Sequence, residues 1–420
     1  MKLRILTAAV LAATCAAPGL AAGVTPVGPA LSFGTADAPA QFPTVAMRAD
    51  GSFVVAWTTG TAVMAQRYAA GGTPQGAAIA IYTAPSPNVV WDQPKLTMNA
   101  AGDFALAWHI EDSGNAAVGQ VEARVYGADG TPLGAAFRFD DDAHPAVHFG
   151  FETSEALALD AADHVLGAWT AAVPGKTGLL NADRVALGLY VRRFTAAGAA
   201  LDGAAQEISN GGKLLTELDS VSAAVADDGH YLVSWSAGGE ECTLVPPGAV
   251  GCLIDLQPSV VHFRQLDSSG KPKGAVATVL SSLQPGQGLG QQKPLSAMNG
   301  SGTFALMWLA LTPVAPKIIH SQEYSAAGVV KGGGAVDFPR TQCCSGFGPV
   351  VAIDPAGDYV VAYEDQLRLY APDSSGRMQA VGPAFNSPTS VTGLAMGSGN
   401  QFVLVGSTSA GYGQIYSFSK

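Results

Sequence analysis

The stretch from His109 to His148 holds the densest set of groups able to ligate a cation or move a proton. His109, Glu111 and Asp112 come first, then Asp140, Asp141 and Asp142, then His144 and His148. Imidazole nitrogens with carboxylate oxygens suit Zn²⁺ or a similar ion, and Asp oxygens alone suit Ca²⁺. If a divalent metal is bound, Asp140, Asp142, His144 and His148 are the expected ligands. The spacing His144-x-x-x-His148 unites two imidazoles only on a helix, so a solvated polar loop is the competing reading. Two more acidic pairs, Glu240–Glu241 and Glu364–Asp365, follow apolar runs as Glu111–Asp112 does. Such pairs attract a cationic partner or a divalent ion, and they equally keep a protein soluble. Trp91, beside Asp92, suits stacking on a sugar ring or packing beneath a loop.

No local catalytic signature accompanies these groups. There is no G-x-S-x-G elbow, no H-E-x-x-H and no phosphate-binding glycine loop, so no catalytic residue is assigned. The formal net charge of −11 argues against nucleic-acid binding, which needs a basic surface. An apolar fraction of 48% is enough for a large core. With only 13% charged residues, and with 51 Gly and 26 Pro, the composition points to many short strands and turns.

The elements that must position these groups repeat along the chain. A turn glycine leads, six residues on, to an aromatic anchor: Gly51 to Trp57, Gly102 to Trp108, Gly229 to Trp235, Gly302 to Trp308 and Gly357 to Tyr363. Asp163 replaces the glycine before Trp169, and Gly399 to Val405 is a degenerate copy. A second signal follows each anchor, an aromatic residue or Leu four before a glycine: Tyr68–Gly72, Tyr126–Gly130, Phe194–Gly198, Leu266–Gly270 and Tyr324–Gly328. The sixth copy, Tyr370–Gly376, is longer. Three copies continue as G-x-P-x-G, for example Gly72-Thr73-Pro74-Gln75-Gly76, in which Gly and Pro set a tight turn.

Each unit therefore reads as four strands, A to D. Strand B, as in Phe53-Val54-Val55-Ala56-Trp57, is apolar without alternation, so both its faces must be covered. Four-stranded blades packed around an axis provide that cover. The expected fold is all-β, a seven-bladed β-propeller of four-stranded antiparallel blades. The blades fall at about 42–84, 93–140, 153–209, 217–280, 293–338, 347–386 and 388–420 with 24–36. The seventh unit stops at Lys420 without a strand D. Val24-Thr25-Pro26-Val27-Gly28 matches the Thr-Pro-x-Gly turn, so the segment near Pro29 should complete that blade and close the ring. An open solenoid would need capping repeats and two sandwiches would need a linker, and neither is present.

These units, with Phe53-Val54-Val55-Ala56-Trp57, Gln66-Arg67-Tyr68 and Thr73-Pro74-Gln75-Gly76, resemble a repeat of exported and surface-attached bacterial proteins. The resemblance implies a propeller-like extracellular module without a defined activity. The Gly-His and Trp-Asp marks of WD40 repeats, the Asp box of sialidases and the calcium loops of integrin-type propellers are missing.

Lys2 and Arg4, the apolar run Ile5 to Ala17 and the small residues near Ala21 read as a secretory signal peptide over 1–21. One domain, 22–420, should follow, with no membrane span. Cys15 fits a lipoprotein site poorly, because Ala12 and Thr14 are wrong for it. Cys242, Cys252, Cys343 and Cys344 remain after export, where disulfides are expected. Either Cys242 pairs with Cys252 and Cys343 with Cys344, or each of the first two pairs with one of the second. A four-Cys metal site is a further option. Arg67, Arg193 and Arg124 recur with the repeat, which makes them structural, their stems covering blade edges.

In this strand order the A–B and C–D turns share one face, and the B–C and D–A connections share the other. The long insertions, 140–153, 171–184, 237–258 and 281–292, all fall on the second face. Loop length on a rigid scaffold usually carries function, so that face should meet the ligand. Trp91, His109, Glu111, Asp112, Glu240, Glu241, Glu364 and Asp365 are its candidate binding residues. The reading is an exported (periplasmic, secreted or cell-surface) non-catalytic binding or scaffold module of the bacterial envelope. It would be monomeric, with a protein or glycan partner and no required cofactor. The alternative is a glycan-active enzyme, a glycosidase or lyase, using carboxylates at the central channel. A detached adhesin repeat is a third.

Overall fold

The computed structural model describes residues 23–35, 37–84, 93–110, 120–146, 155–177, 185–209, 217–244, 252–279, 290–311, 318–331, 336–339, 350–374, 376, 378–408 and 410–419. The chain opens with β1 (Val24–Leu31). Blade 1 is β2 (Gln41–Met47), β3 (Phe53–Thr58), β4 (Ala62–Tyr68) and β5 (Ile79–Thr83). Blade 2 is β6 (Lys95–Met98), β7 (Phe104–Ile110), β8 (Gln120–Tyr126) and β9 (Phe137–Arg138). Blade 3 is β10 (Glu155–Leu159), β11 (Val165–Thr177), β12 (Val185–Phe194) and β13 (Gln206–Glu207). Blade 4 is β14 (Glu217–Val225), β15 (Tyr231–Leu244), β16 (Cys252–Leu266) and β17 (Ala277–Thr278). Blade 5 is β18 (Gly290–Met298), β19 (Phe304–Leu311), β20 (Ile318–Tyr324) and β21 (Val336–Pro339). Blade 6 is β22 (Val350–Ile353), β23 (Tyr359–Tyr363) and β24 (Gln366–Pro372), with β25 (Met378–Ala380) and β26 (Phe385–Asn386) both pairing to β24. Blade 7 is β27 (Val391–Gly397), β28 (Gln401–Gly406) and β29 (Tyr412–Phe418), completed by β1 in the order β1-β29-β28-β27. The innermost strands touch in sequence from β2 through β6, β10, β14, β18, β22 and β27, and β27 touches β2, so the ring is closed. No helix of the described residues is long and apolar enough to cross a membrane.

The two repeated sequence signals meet in space. An aromatic residue first or second in strand B is the register partner of one at, or two before, the end of strand C: Phe53 with Tyr68, Phe104 with Tyr126, Phe304 with Tyr324, Tyr359 with Tyr370 and Phe402 with Tyr416. Their rings stack at 4.9, 5.1, 4.9, 4.9 and 5.2 Å. Stacked aromatic pairs contribute beyond their buried area. The anchors Trp57, Trp108, Trp169, Trp235 and Trp308 are all buried between blades. Strand β3 is buried at every position, which explains its lack of alternation.

Polar side chains pin the turns. The residue two before the end of strand C donates to a carbonyl of its own C–D turn: Gln66 to Gly76, Arg124 to Gly134, Arg192 to Asp202, Arg264 to Gly274 and Gln322 to Lys331. In blade 7 Gln414 makes the same bonds to Val27 and Gly28 of β1. The next residue along strand C reaches the following blade instead. Arg67 Nη1 donates to the Ala128 carbonyl at 2.8 Å, Arg193 Nη1 to Ser268 at 2.7 Å and Gln265 Nε2 to Ala326 at 2.9 Å. Stem packing alone therefore understates Arg67 and Arg193, whose heads join blades. Arg124 belongs to the other set and clamps its own turn.

The C–D turns must leave room for these heads. Gly130 has φ +85°, and a Cβ there would lie 2.8 Å from Arg67 Nε. Asp163, in the position other blades give to glycine, holds φ +60°; Asn99 Nδ2 donates to its Oδ1 at 2.9 Å.

Two expectations differ in detail. The sixth C–D turn is not merely longer: its strand D is split into β25 and β26. The insertion at 237–258 is not an open loop, because β15 and β16 continue as a paired ribbon to Leu244 and Cys252. Likewise β11 runs on to Thr177. Apolar or β-branched residues in both arms favour strand continuation.

Arg67→Met should keep the stem and lose the bonds to the Ala128 and Gln75 carbonyls, costing about 1–3 kcal/mol. Gly130→Ala should cost a similar amount through φ strain and the close approach to the guanidinium. The double variant should lose less than the sum, because Met yields space to the new methyl. Chemical denaturation of the four proteins checks this, and strict additivity would contradict the contact.

Candidate functional site

The described part of the long-loop face is built on the rims of blades 2 and 3. Arg138 ends β9 and its guanidinium forks onto Asp140, with Nε 2.6 Å from Oδ1 and Nη2 2.9 Å from Oδ2. Its Nη1 donates to Asp142 Oδ1 at 2.6 Å. Asp140 is buried, and its Oδ2 also accepts the Ala146 N–H at 3.0 Å. Asp142 is fully exposed. The two carboxylates hold the Arg138 guanidinium firmly charged, the bonds to Asp140 first.

Beyond Asp142 the chain turns back. His144 N–H donates to Asp141 Oδ1 at 2.8 Å, and His144 Nδ1 lies 3.1 Å from the same oxygen. The imidazole packs on Tyr190 of β12, with ring centroids 4.2 Å apart. The His144 carbonyl accepts the Trp169 indole N–H at 2.8 Å. Arg192 Nη1 stands 4.0 Å from Asp141 Oδ2. Burial first, then the nearby Glu207 and Asp141 charges, push the Tyr190 hydroxyl above its ordinary range. The result is a rim that combines an aromatic ring, an imidazole, two guanidiniums and three carboxylates.

The structure thus brings Asp140, Asp142 and His144 into one segment, with Asp140 and Asp142 sharing the Arg138 cation. His148 lies outside the described residues. Among the described residues no three His, Cys, Asp or Glu side chains are grouped to hold a metal ion. Arg138, Tyr190 and Arg192 were not singled out in the sequence. Arg138, two residues before Asp140, was the one readable signal; Tyr190 and Arg192 arrive from the next blade.

His109 lies on β7 opposite Val121 and is buried. Glu364 and Asp365 form the two-residue turn between β23 and β24, with Glu364 at φ +55°. Their carbonyls accept the N–H groups of Val391 and Ser387. Glu240 and Glu241 sit on the ribbon, in register with Leu256 and Asp255. Cys242 pairs in register with Ile254, and Cys252 with Leu244. The two cysteines are therefore two rungs apart on facing strands of the ribbon. Trp91, Glu111, Asp112, Cys343 and Cys344 lie outside the described residues.

The opposite, short-turn face holds a cleft of about 140 Å³ between blades 1 and 2, lined by Arg48, Asp50, Arg67, Tyr68 and Met98. Both guanidiniums are engaged: Arg48 with Asp50 at 2.9 Å, Arg67 with the Ala128 and Gln75 carbonyls. This cleft is an inter-blade joint with one acid in it. Three described carboxyls are held above their ordinary range. Burial raises Glu122 in blade 2; burial and then Asp103 raise Asp163 in blade 3. In blade 6, burial and then the Asp358 charge push Asp354 up to about 6.

No protein-family model matches the sequence, and neither does any curated protein. Solved structures match in fold. An ulvan lyase, described as a new family of polysaccharide lyase and bound to -[GlcA(1-4)Rha3S]-, superposes with a TM-score of 0.50 at 9% identity, over 92% of this chain and 95% of that one. A protein of unknown function from Dyadobacter fermentans gives 0.49 at 10% identity, over 94% and 100% of the two chains. The arabinanase of Penicillium chrysogenum, complexed with arabinobiose, gives 0.47 at 10%, over 93% and 99%. At 9% identity the likeness to the lyase bears on the fold alone.

Two variants probe these groups. Arg138→Met leaves Asp140 buried without its cation and should cost about 3–5 kcal/mol at neutral pH. Adding Asp140→Asn to it should recover much of that loss, and an equal loss in the single and double variants would contradict the pairing. Asp354 is protonated more readily folded than unfolded, so its stabilising share is complete below about pH 4 and is lost as pH rises through about 6. Asp354→Asn can still accept the Asp358 N–H, which lies 2.9 Å from Asp354 Oδ1. Its melting temperature should gain on the parent across that interval and hold the gain above it. A parallel pair of pH–stability curves would contradict this.

Proposed function

We propose that the chain is an exported, non-catalytic binding or scaffold propeller of the bacterial envelope, whose long-loop face meets a protein or glycan. The carrying observation is the unequal height of that face. In blade 1, β3 ends at Thr58, the residue after its anchor Trp57, and in blade 6, β23 ends at its anchor Tyr363. In the neighbouring blades 3 and 4, β11 continues past Trp169 to Thr177, and β15 past Trp235 to Leu244. Their partners β12 and β16 lengthen with them, and Ser259 of β16 bridges to Gly290 of blade 5. Ribbons that stand above a rigid ring offer paired backbone and a presented surface without loosening the core. Beside them His144, Arg192 and Asp141, part-exposed over the buried Tyr190, supply an imidazole and charges suited to hydroxylated or cationic groups. Glu240, Glu241 and Asp255 along the blade 4 ribbon favour a positively charged partner. The glycan-active alternative needs two carboxyls facing one substrate.

The test replaces residues 240–256 with Asn-Gly, a two-residue hairpin on the Gly239–Gln257 pair. Processed protein should capture an envelope component or array glycan that the shortened variant does not, while the melting temperature of the variant stays within about 2 °C. Equal capture by both proteins would refute the ribbon as the binding element. Release of new reducing or unsaturated ends from the captured glycan would refute the non-catalytic reading.

A further inference from the structure

The strand that closes the ring is held differently from the strands around it. Across β1 only Val24 is buried; Val27 and Leu31 are half-buried, and the remaining side chains are exposed. Its hold on β29 is chiefly backbone pairing, from Val24 with Phe418 to Val27 with Ile415 and again at Leu31 with Gly413. Gln414 adds its bonds to the Val27 and Gly28 carbonyls, and Thr25 Oγ1 lies 2.9 Å from Ser417 Oγ. These are the features of an extended peptide added to a sheet edge, where main-chain bonds give affinity and side-chain pockets give specificity.

The pocket is at the far end of the segment. Phe33 is half-buried, its ring 5.1 Å from the anchor Trp57. It lies against Gly411, at φ +67°, where any Cβ would collide with the Phe33 ring. The Phe33 and Gly34 N–H groups both donate to the Ala410 carbonyl, at 3.1 and 2.7 Å. After this anchor the chain leaves through an exposed tight turn, in which Thr35 N–H donates to the Ala38 carbonyl at 3.1 Å. The segment is thus complete, with backbone pairing, a glutamine clamp and one aromatic anchor, before it reaches the turn that ties it to blade 1.

The geometry points to a peptide-docking groove along β29, formed by its edge, Gln414 and the Phe33 slot of Gly411 and Trp57, that takes the 23–34 segment of a second copy of this chain in exchange for its own. Local opening concentrates in elements with few buried contacts, which here is β1. Opening bares an unpaired edge, a template for another strand. A segment that docks the same way in cis and in trans is the usual route to strand exchange.

The test keeps the whole chain. A protease site is inserted after Asp37 in the exposed turn, the folded protein is cleaved there, and a fluorescent peptide of residues 23–35 stands for the segment of the second copy. The cleaved protein should take up the peptide saturably and release its own segment, and uncleaved protein should take up at least tenfold less at equal concentration. A peptide carrying Phe33→Ala should compete at least tenfold more weakly, and Gly411→Ala in the ring should lower uptake likewise. Cleaved protein that keeps its segment for days without exchange, that unfolds on cleavage, or that ignores Phe33→Ala would overturn the proposal.

Discussion

The antiparallel pairing of β1 with β29 is the constraint on which the rest of the molecule depends. Six blades are each a contiguous run of chain, and the seventh is not: Val24 to Val27 lie on Phe418 to Ile415, residues nearly the whole chain apart. A ring of sheets buries both faces of every strand B only if each blade has two neighbours. Without the closing strand, the blade 7 edge is exposed and the apolar cluster of Val403, Val405, Ile415 and Trp57 loses Val27, Leu31 and Phe33 from its cover. The equivalence with the other blades is close. Tyr416 faces Pro26 as Tyr68 faces Pro74, and Gly413 faces Leu31 as Ala65 faces Ile79. The Thr-Pro-x-Gly turn is therefore rebuilt from two distant segments.

Between blades, apolar packing is supplemented by directed polar contacts, and each kind recurs with the repeat. Arg67, Arg193 and Gln265 reach forward from strand C. Asn99 and Asn299 reach forward from the A–B turns, to the carbonyls of Asp160 and of Asp354 and Pro355. Ser398 N–H donates to the Ala49 carbonyl across the joint between blades 7 and 1. The Asp160 and Asp354 carbonyls are buried, where an unpaired polar group costs more than a made bond returns; those met by Arg67, Arg193 and Gln265 are on exposed turn residues, where the bond chiefly adds direction. The short-turn face is occupied by this bonding, which leaves the other face free to vary. The ribbons of blades 3 and 4 and the Arg138–Asp140 rim lie there.

Most of the fold was legible in the sequence because it repeats. The step from turn glycine to anchor aromatic, the aromatic residue or Leu four before a glycine and the G-x-P-x-G turn are local patterns with local causes, and together they carried the blade count, the strand order and the closure. Less of the site was legible. Tyr190 and Arg192 join His144 and Asp141 only because blade 3 packs on blade 2, a relation no spacing in the sequence records. The length of β15 and β16 was hidden because Gly238, Gly239 and Pro258 read as loop punctuation, while cross-strand pairing overrides those residues. Arg67 and Arg193 were recognised as structural by recurrence, but the carbonyls they reach lie one blade away. Asp163 shows the converse: its departure from the glycine pattern was visible, and its cause, an Asn99 side chain from the neighbouring blade, was not.

A single engineered crosslink reports directly on closure. Thr25 and Ser417 are register partners with their hydroxyls in contact, so Thr25→Cys with Ser417→Cys places two thiols where a disulfide can form with little backbone movement. Closure through β1 predicts that peptide mapping of the oxidised monomer finds these two residues linked, with a higher melting temperature than after reduction. Two free thiols at those positions in the folded monomer, or a link found only between molecules, would contradict it.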